Sequence, residues 1–288
     1  MASMRDLRIR IKSVKSTQQI TKAMNLVAAS KLQRAKQKAL STRPYFNAVS
    51  DVLRDLALKS GSANNQFLKE RPVNSSLLIV IAGDKGLCGG YNTNVCRAGR
   101  EFFRKKKEQK YLTVGNRARD FFRRRKKNII ESYTGISENP FYEDAAKLGE
   151  RAFEMFKKGE VDEVYIAYTE FNSVLTHTPK VKRVLPIDPG KIEGGDENSG
   201  KAVSIMRYDP GEDEVLAYII PKYINNVIYG AMCESAACQL GARMTAMDSA
   251  TKNASEMIEK YTTQYNRARQ GAITQEITEI VSGANALE

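Results

Sequence analysis

Residues 242–287 read ARMTAMDSATKNASEMIEKYTTQYNRARQGAITQEITEIVSGANAL, and the spacing of their small and apolar side chains decides how the chain is organised. Met244, Met247, Thr251, Ala254, Ile258, Tyr261, Tyr265, Ala268 and Ala272 step by three and four. That is the heptad period of a helix lying along a partner helix. At Gly271–Ile273 the seam slips by one residue and continues as Ile273, Ile277, Ile280, Ala284 and Leu287. A slip rotates the apolar face, so the last turns are expected to meet a different neighbour. No proline follows Pro221, and the run from Glu212 to Leu287 would be about 110 Å long as one helix. A helix of that length is a shaft, a spacer or an assembly seam.

The partner lies at the other end of the chain. From about Met4 to Leu58 a second helical pattern runs, cleanest at Ala28, Leu32, Ala35, Ala39, Thr42, Phe46, Val49, Leu53 and Leu56. Ahead of it the amphipathic positions are looser: Leu7, Ile11, Val14, then Ile20, Met24 and Val27. Pro44 predicts a kink or a short break. Both seams are rich in Ala, Thr and Met, so the helices approach closely but bury modest apolar area. The polar face has one sign, with eleven Lys and Arg in residues 1–50 against the single acid Asp6. A solvated face is the plain account of such a run. Mixed signs would serve solubility better, so an acidic partner surface or nucleic acid is implied.

Between the two helices the texture changes. After the polar linker Gly61–Gln66, strand-type runs alternate with helical ones: a strand at Ser76–Ala82, a helix at Thr93–Lys107, a strand at Lys110–Val114, a helix at Arg117–Lys127, a strand at Asn128–Tyr133, a helix at Phe141–Lys158, and strands at Glu163–Phe171 and Lys180–Ile187. This alternation predicts a small α/β sheet domain. Asp188–Gly200 reads as loop. The fold class is therefore α/β, a long antiparallel coiled coil of the terminal helices with an α/β domain inserted between them. The boundaries are 1–58 for the first helix, 72–207 for the inserted domain and 208–288 for the returning helix. The expected form is a rod with the chain ends together at one end and a globular knob at the other.

Little here looks like an enzyme. The glycine-rich turn AGDKGLCGGYN follows a strand and leads into a helix, but GxxxxGK[ST] and GxGxxG are both missing. His177, the only histidine, stands beside Thr178–Pro179 without a nearby acid or nucleophile, which disfavours a Ser-His-Asp or Cys-His site. Cys88, Cys96, Cys233 and Cys238 lack metal-type spacing and read as small core residues in a reducing compartment. No apolar run reaches the length of a membrane span, and MASMRDLRIRIKSVKS does not resemble a secretory leader. No catalytic residue, metal or cofactor is expected. A second basic block, Arg104–Lys127, interleaves with Phe102, Phe103, Phe121 and Phe122. It reads as a buried face beside a solvated one, or as a surface that holds phosphates. With a formal charge of +13, a basic coiled-coil nucleic-acid-binding protein stays open as an alternative, and a nucleotide-dependent enzyme with helical arms is a weaker one.

Three motifs carry a resemblance that runs the length of the chain: IKSVKSTQQITKAMNLVAASKLQRA (Ile11–Ala35), DKGLCGGYNTNV (Asp84–Val95) and ARMTAMDSATKNA with YNRARQGAITQEITEIVSGA (Ala242–Ala284). The chain closely resembles the gamma subunit of the F-type rotary ATP synthase. The resemblance implies a Rossmann-like inserted domain and a non-catalytic rotor shaft for ATP synthesis and proton or sodium transport. It implies a ring of three alpha and three beta subunits around the coiled coil, and an epsilon subunit and c-ring at the knob. It implies a peripheral place on the cytoplasmic face of a bacterial inner membrane, with membrane contact only through the c-ring and no nucleic-acid partner. Lys12, Lys22 and Met24 would face the beta subunits, Arg269 and Gln270 would make polar catch contacts, and Thr274, Glu276, Ile277 and Ile280 would lie toward the bearing. Tyr208, Glu212, Asp213 and Glu214 would form the foot against epsilon and the c-ring. The regulatory cysteine pair of the plant-type gamma is not seen.

Overall fold

A computed structural model describes residues 3–59, 66–173, 176–188, 190, 208–209 and 211–285. Residues 61–65, nearly all of the loop 188–200, and Leu287 of the seam lie outside the described residues, as do the side chains of Asp213 and Ala284. In order the elements are α1 (Met4–Lys59), β1 (Ser75–Ile81), α2 (Tyr91–Phe103), β2 (Glu108–Val114), α3 (Asn116–Arg123), β3 (Ile129–Tyr133), α4 (Tyr142–Lys157), β4 (Glu163–Phe171), β5 (His177–Leu185) and α5 (Glu212–Asn285). The expected α/β class and the expected alternation are both present. The chain divides into two compact units, residues 1–28 with 244–288, and residues 29–243.

The larger unit is built on one sheet with strand order β3-β2-β1-β4-β5. β1 pairs in parallel with β2 and β4, β2 in parallel with β3, and β5 antiparallel with β4. All seven residues of β1 are buried, as a central parallel strand covered on both faces requires. Alternation sends Leu78, Val80 and Ala82 to a core shared with Val95 and Phe103 of α2 and Ala118 and Phe122 of α3. Leu77, Ile79 and Ile81 point to the opposite core, shared with Leu148 and Ala152 of α4, Leu53 and Leu56 of α1, and Leu216, Ile220 and Ile224 of α5. Each buried leucine or isoleucine contributes roughly 1.5–3 kcal/mol over leaving it in water.

Contacts fix the direction of the long helices against this sheet. At the C-terminal ends of the parallel strands, Tyr91 OH donates to Ser235 O at 3.0 Å and Thr169 N to Ser235 Oγ at 3.3 Å. At the N-terminal edge, Ile187 N donates to Phe67 O at 2.8 Å. Phe67, just past the end of α1, stacks on Phe153 and Phe156 of α4 with centroids 4.7 and 5.8 Å apart. Here α5 therefore starts at the N-terminal edge of the sheet and runs toward the C-terminal edge, and α1 runs the other way. At Pro44 the expected break is absent, and α1 is helical through it. A proline there removes one N–H from the ladder without ending the helix, because Thr42, Phe46 and Val49 stay packed on either side. α2 stops at Phe103, short of the expected Lys107, and α3 at Arg123, short of Lys127. Consecutive cations in the last turn repel one another, and both basic runs lie in the turns that follow the helices.

The smaller unit is a two-helix seam. Met244, Met247, Thr251, Ala254, Ile258, Tyr261, Tyr265, Ala268 and Ala272 are all buried or half-buried, while the residues between them face solvent almost without exception. On α1 the facing positions are Leu7, Ile11, Val14, Gln18, Thr21, Asn25 and Ala28. Ile20 and Val27, expected in the seam, are 57% and 56% exposed. The heptad of the later turns, carried backward from Ala28 by threes and fours, lands on Asn25, Thr21 and Gln18, and the backbone follows that register rather than the hydrophobicity. Ser3 opens α1 with a capping pair: its N donates to Asp6 Oδ2 at 3.3 Å and its Oγ accepts from Asp6 N at 3.2 Å.

Candidate functional site

The middle of the two-helix seam is polar and fully partnered. Gln18 Nε2 donates to Ser255 Oγ at 2.7 Å, Thr21 and Thr251 share a hydrogen bond of 2.7 Å between their hydroxyls, and Asn25 Nδ2 donates to Met244 O at 3.0 Å. Arg8 Nη2 donates to Tyr265 OH at 2.8 Å, with its guanidinium carbon 5.7 Å from the ring centre. Polar pairs at seam positions specify register while adding less stability than Leu or Ile would. These residues were not among the sequence-predicted site. The unbroken 3,4 spacing was the signal for them.

Lys12 and Lys22 are exposed on α1, form no ion pair among the described residues, and flank the seam; Met24 is half-buried beside it. On α5 the pairing ends at Ala272. Every residue from Ile273 to Gly283 is exposed, including Thr274, Glu276, Ile277 at 56% and Ile280 at 72%. Arg269 and Gln270 sit at the boundary, both exposed. Within this unit, then, the tip of α5 is a single helix that presents apolar side chains with no partner among the described residues. Ile9, Ile20, Leu26 and Val27 add apolar surface on the outward side of α1. Large exposed apolar side chains gathered on one helix tip are a common mark of protein–protein contact.

In the larger unit, Tyr208 OH donates to Asp55 Oδ2 at 2.7 Å, and burial together with that carboxylate pushes the phenol up to about 12. Glu212 and Glu214 are exposed in the first turn of α5, where carboxylates favour the positive end of the helix dipole. The side chain of Asp213 lies outside the described residues.

The glycine-rich turn after β1 is closed by its own side chains. Asn92 Oδ1 accepts from Gly83 N at 2.7 Å, and Ser137 Oγ accepts from Asp84 N at 2.9 Å. The Asp84 carboxylate takes the N–H of Asn116 at 3.1 Å and the hydroxyl of Ser137 at 2.7 Å. Burial opposes its charge, but hydrogen bonds from Gly135, Ser137 and Asn116 outweigh burial and hold it below the usual carboxylate range. These bonds hold the Asp84 carboxylate at the first turn of α3, between the loops that follow β2 and β3. Gly115 (φ +89°) lets this turn close, since a Cβ there would come within 2.3 Å of Ala82 O. His177 starts β5, half-buried, and burial lowers its pKa. All four cysteines are free and buried, and burial pushes Cys96 up to about 12 and Cys233 to about 11. Among the described residues no cluster of His, Cys, Asp and Glu fits a metal, and no helix is long and apolar enough to cross a membrane.

Glu138, beyond the C-terminal end of β3, clamps the long helices of this unit. Its carboxylate accepts from Arg243 Nη1 at 2.6 Å and from Lys31 Nζ at 3.1 Å. Burial would raise its pKa, but the two cations prevail and lower it. A depressed carboxyl contributes stability that is present above its unfolded value of 4.5 and lost as pH falls through the lower folded value. Glu138→Gln leaves the buried Arg243 without its counter-charge and is expected to cost about 2–3 kcal/mol at neutral pH. Urea unfolding followed by tyrosine absorbance should show that deficit at neutral pH and a shrinking one below roughly pH 4. A deficit independent of pH would mean that the ion pair is not its source.

The family described as ATP synthase matches residues 3–287. The ATP synthase gamma chain of Alkaliphilus metalliredigens is 45% identical over 285 residues, covering 99% of each chain. The ATP synthase gamma chain, sodium ion specific, of Acetobacterium woodii is 46% identical over 298 residues, again covering 99% of each. Among solved structures, the central stalk/c-ring of the Tetrahymena thermophila mitochondrial ATP synthase matches with a TM-score of 0.65 and 25% identity, over 80% of this chain and 99% of that one. A chain of the Euglena gracilis mitochondrial ATP synthase (OSCP/F1/c-ring) matches at a TM-score of 0.70 and 16% identity, covering 99% of this chain and 94% of that one.

Proposed function

The chain belongs to the ATP synthase gamma-chain family and is the central rotor shaft of that complex, and from this premise we propose how its surfaces carry out coupling. The two-helix seam stands inside a ring of three alpha and three beta subunits, and the sheet-bearing unit stands with an epsilon subunit on the c-ring. The chain lies peripherally on the cytoplasmic face of a bacterial inner membrane. Phosphoryl transfer belongs to the beta subunits, and this chain hydrolyses nothing. The self-closed glycine turn supports that division of labour. The alternative of a nucleic-acid-binding coiled coil finds no support among the relatives.

The observation that carries the reading is the unpartnered tip of α5 with its exposed Ile277 and Ile280. An asymmetric shaft touches three beta subunits of one sequence differently. It biases each site only by the difference between its interactions with the open and the closed state. Turning the shaft moves that bias from one site to the next. Contacts that form and break with each step must be specific in geometry and individually modest, because a strong one would hold the rotor at one angle. Arg269, with its fixed fork of donors, and Gln270 suit a carboxylate or carbonyl on such a partner.

Arg269→Ala together with Gln270→Ala is expected to leave the isolated chain folded and to lower steady-state ATPase of the assembled complex by about five- to tenfold, the worth of one or two charge-assisted hydrogen bonds. Ile277→Ala with Ile280→Ala should loosen the bearing with a smaller loss of turnover. A polar double variant that assembles and turns over like the parent would remove Arg269 and Gln270 from the site.

A further inference from the structure

Fourteen Lys and Arg against three acids fall between residues 97 and 127, a net of +11 in a chain whose total is +13. The fold gathers them. Arg104–Lys107 leads into β2 and Arg124–Lys127 leads into β3, and these strands are neighbours. The two basic turns therefore lie side by side at the N-terminal edge of the parallel sheet. Lys127 Nζ donates to Gln109 Oε1 at 3.1 Å, which ties one turn to the strand beginning at the other. Gln109 Nε2 in turn donates to Phe103 O at 2.8 Å and Lys106 O at 3.2 Å. An open cavity of about 470 Å³ between them is lined by Arg100, Glu101, Arg104, Gln109 and Lys127.

Internal acids neutralise little of this charge. Lys106 pairs with Glu163 at 2.5 Å, Lys110 with Glu108 at 3.2 Å, and Arg119 and Arg123 share Asp120 at 3.3 and 3.8 Å. Arg100, Arg104, Lys105, Lys107, Arg124 and Lys126 have no ion pair among the described residues. The same edge carries the end of α1 and the start of α5, through Tyr208 on Asp55 and Ile187 on Phe67. It is the end of this unit opposite Ser235.

We propose that this edge docks on anionic phospholipid headgroups, through their phosphate diesters. The proposal rests on the rotor reading in one respect, that the start of α5 is the end turned toward the membrane. Six unpaired cations match the size of polybasic clusters that hold proteins to anionic leaflets. Arg forks bind phosphate oxygens in pairs and Lys adds point charge. A lipid surface also suits a rotor. A stationary protein partner would set fixed charges at fixed angles and favour one orientation, whereas a fluid leaflet around the c-ring is uniform about the axis and attracts without an angular preference. Stacking platforms for nucleic acid are already in use. The face of Phe121 is covered by the Arg125 guanidinium at 3.7 Å, and Phe102 packs edge-on against Tyr165 at 5.0 Å.

The test takes the full chain and sediments it with phosphatidylcholine vesicles, plain or doped with phosphatidylglycerol. The edge variant R104Q/K105Q/K107Q/R124Q/K126Q is compared with an α1 variant of equal charge, K12Q/K15Q/K22Q/R34Q/K36Q. The parent is expected to bind doped vesicles and not plain ones, with affinity falling as salt rises. At about fivefold per cation the edge variant should lose a hundredfold or more. The α1 variant should lose less than about tenfold, because its cations are strung along a helix. Equal losses from the two variants would overturn the proposal in favour of net charge. Binding of inorganic phosphate that the edge variant abolishes and that blocks the vesicles would overturn it in favour of a free-anion site, and duplex DNA bound more tightly than doped vesicles would overturn it in favour of nucleic acid. Assembly with alpha and beta subunits is scored separately. A parent that assembles but ignores doped vesicles ends this proposal alone, and one that binds vesicles but does not assemble contradicts the rotor reading instead.

Discussion

Reversing Lys12, Lys15 and Lys22 to glutamate is expected to weaken assembly with the alpha and beta subunits by about a thousandfold, with the isolated chain still folded. The three lysines recur on one flank of α1, all exposed and none paired among the described residues. They sit in a segment whose first 50 residues hold one acid. Each reversal replaces an attraction to an acidic partner surface with a repulsion, and like charges brought together at an interface cost several kcal/mol in sum. The comparison needs cations of equal exposure elsewhere. Lys106 is unsuitable, because it bridges Glu163 at 2.5 Å and Tyr165 OH at 3.3 Å and its reversal would disturb the sheet. Lys105, Lys107 and Lys126 serve instead. Pulldown of the ring subunits by the two triple variants should differ by at least about a hundredfold, and equal losses would mean that α1 contributes only net charge.

Outside the complex, the amides of residues 4–28 and 250–283 are expected to exchange at least about a hundredfold faster than those of β1 and β4. Two helices close on each other through Leu7, Thr21, Ala28, Met247 and Ala254 as their only well-buried contacts among the described residues, all but Leu7 and Met247 small or polar. β1 is buried along its whole length between two cores. Small seam residues remove little apolar area from water, and a helix without such area is marginal whatever its length. Assembly should then slow exchange in the helices far more than in the strands. Uniform protection of helices and strands in the isolated chain would show that the seam is stable alone and that the ring is not needed to order it.

How much of this was legible in the sequence differs from element to element. β4 was read to the residue, and the α5 seam from Met244 to Ala272 appears as written, because an apolar or small residue stood at each step of the heptad. The first half of α1 was misread where Gln18, Thr21 and Asn25 occupy the seam. Hydrophobicity pointed to Ile20 and Val27, which the backbone turns outward. Those outward apolar residues mean something only with a partner present, and a single chain does not display its partner. On α5 the seam ends at Ala272, beside the register slip, and the residues from Ile273 to Gly283 are exposed. The turns Arg104–Lys107 and Arg124–Lys127 were taken as helix ends because runs of Lys and Arg are compatible with helix. Their meeting at one edge depends on β2 and β3 being neighbours, which is a property of the sheet order.

The rotor role itself is tested most directly by watching the chain turn. With all four native cysteines buried, Asn94→Cys on the exposed side of α2 gives a single reactive thiol for a bead. Complexes assembled from this chain and its alpha and beta subunits, with the ring fixed to a surface, are supplied with ATP. The bead is predicted to rotate in one direction in three equal steps, and Arg269→Ala with Gln270→Ala should lengthen the dwells between them. A complex that hydrolyses ATP at its full rate while the bead stays still, or wanders equally in both directions, would contradict the account.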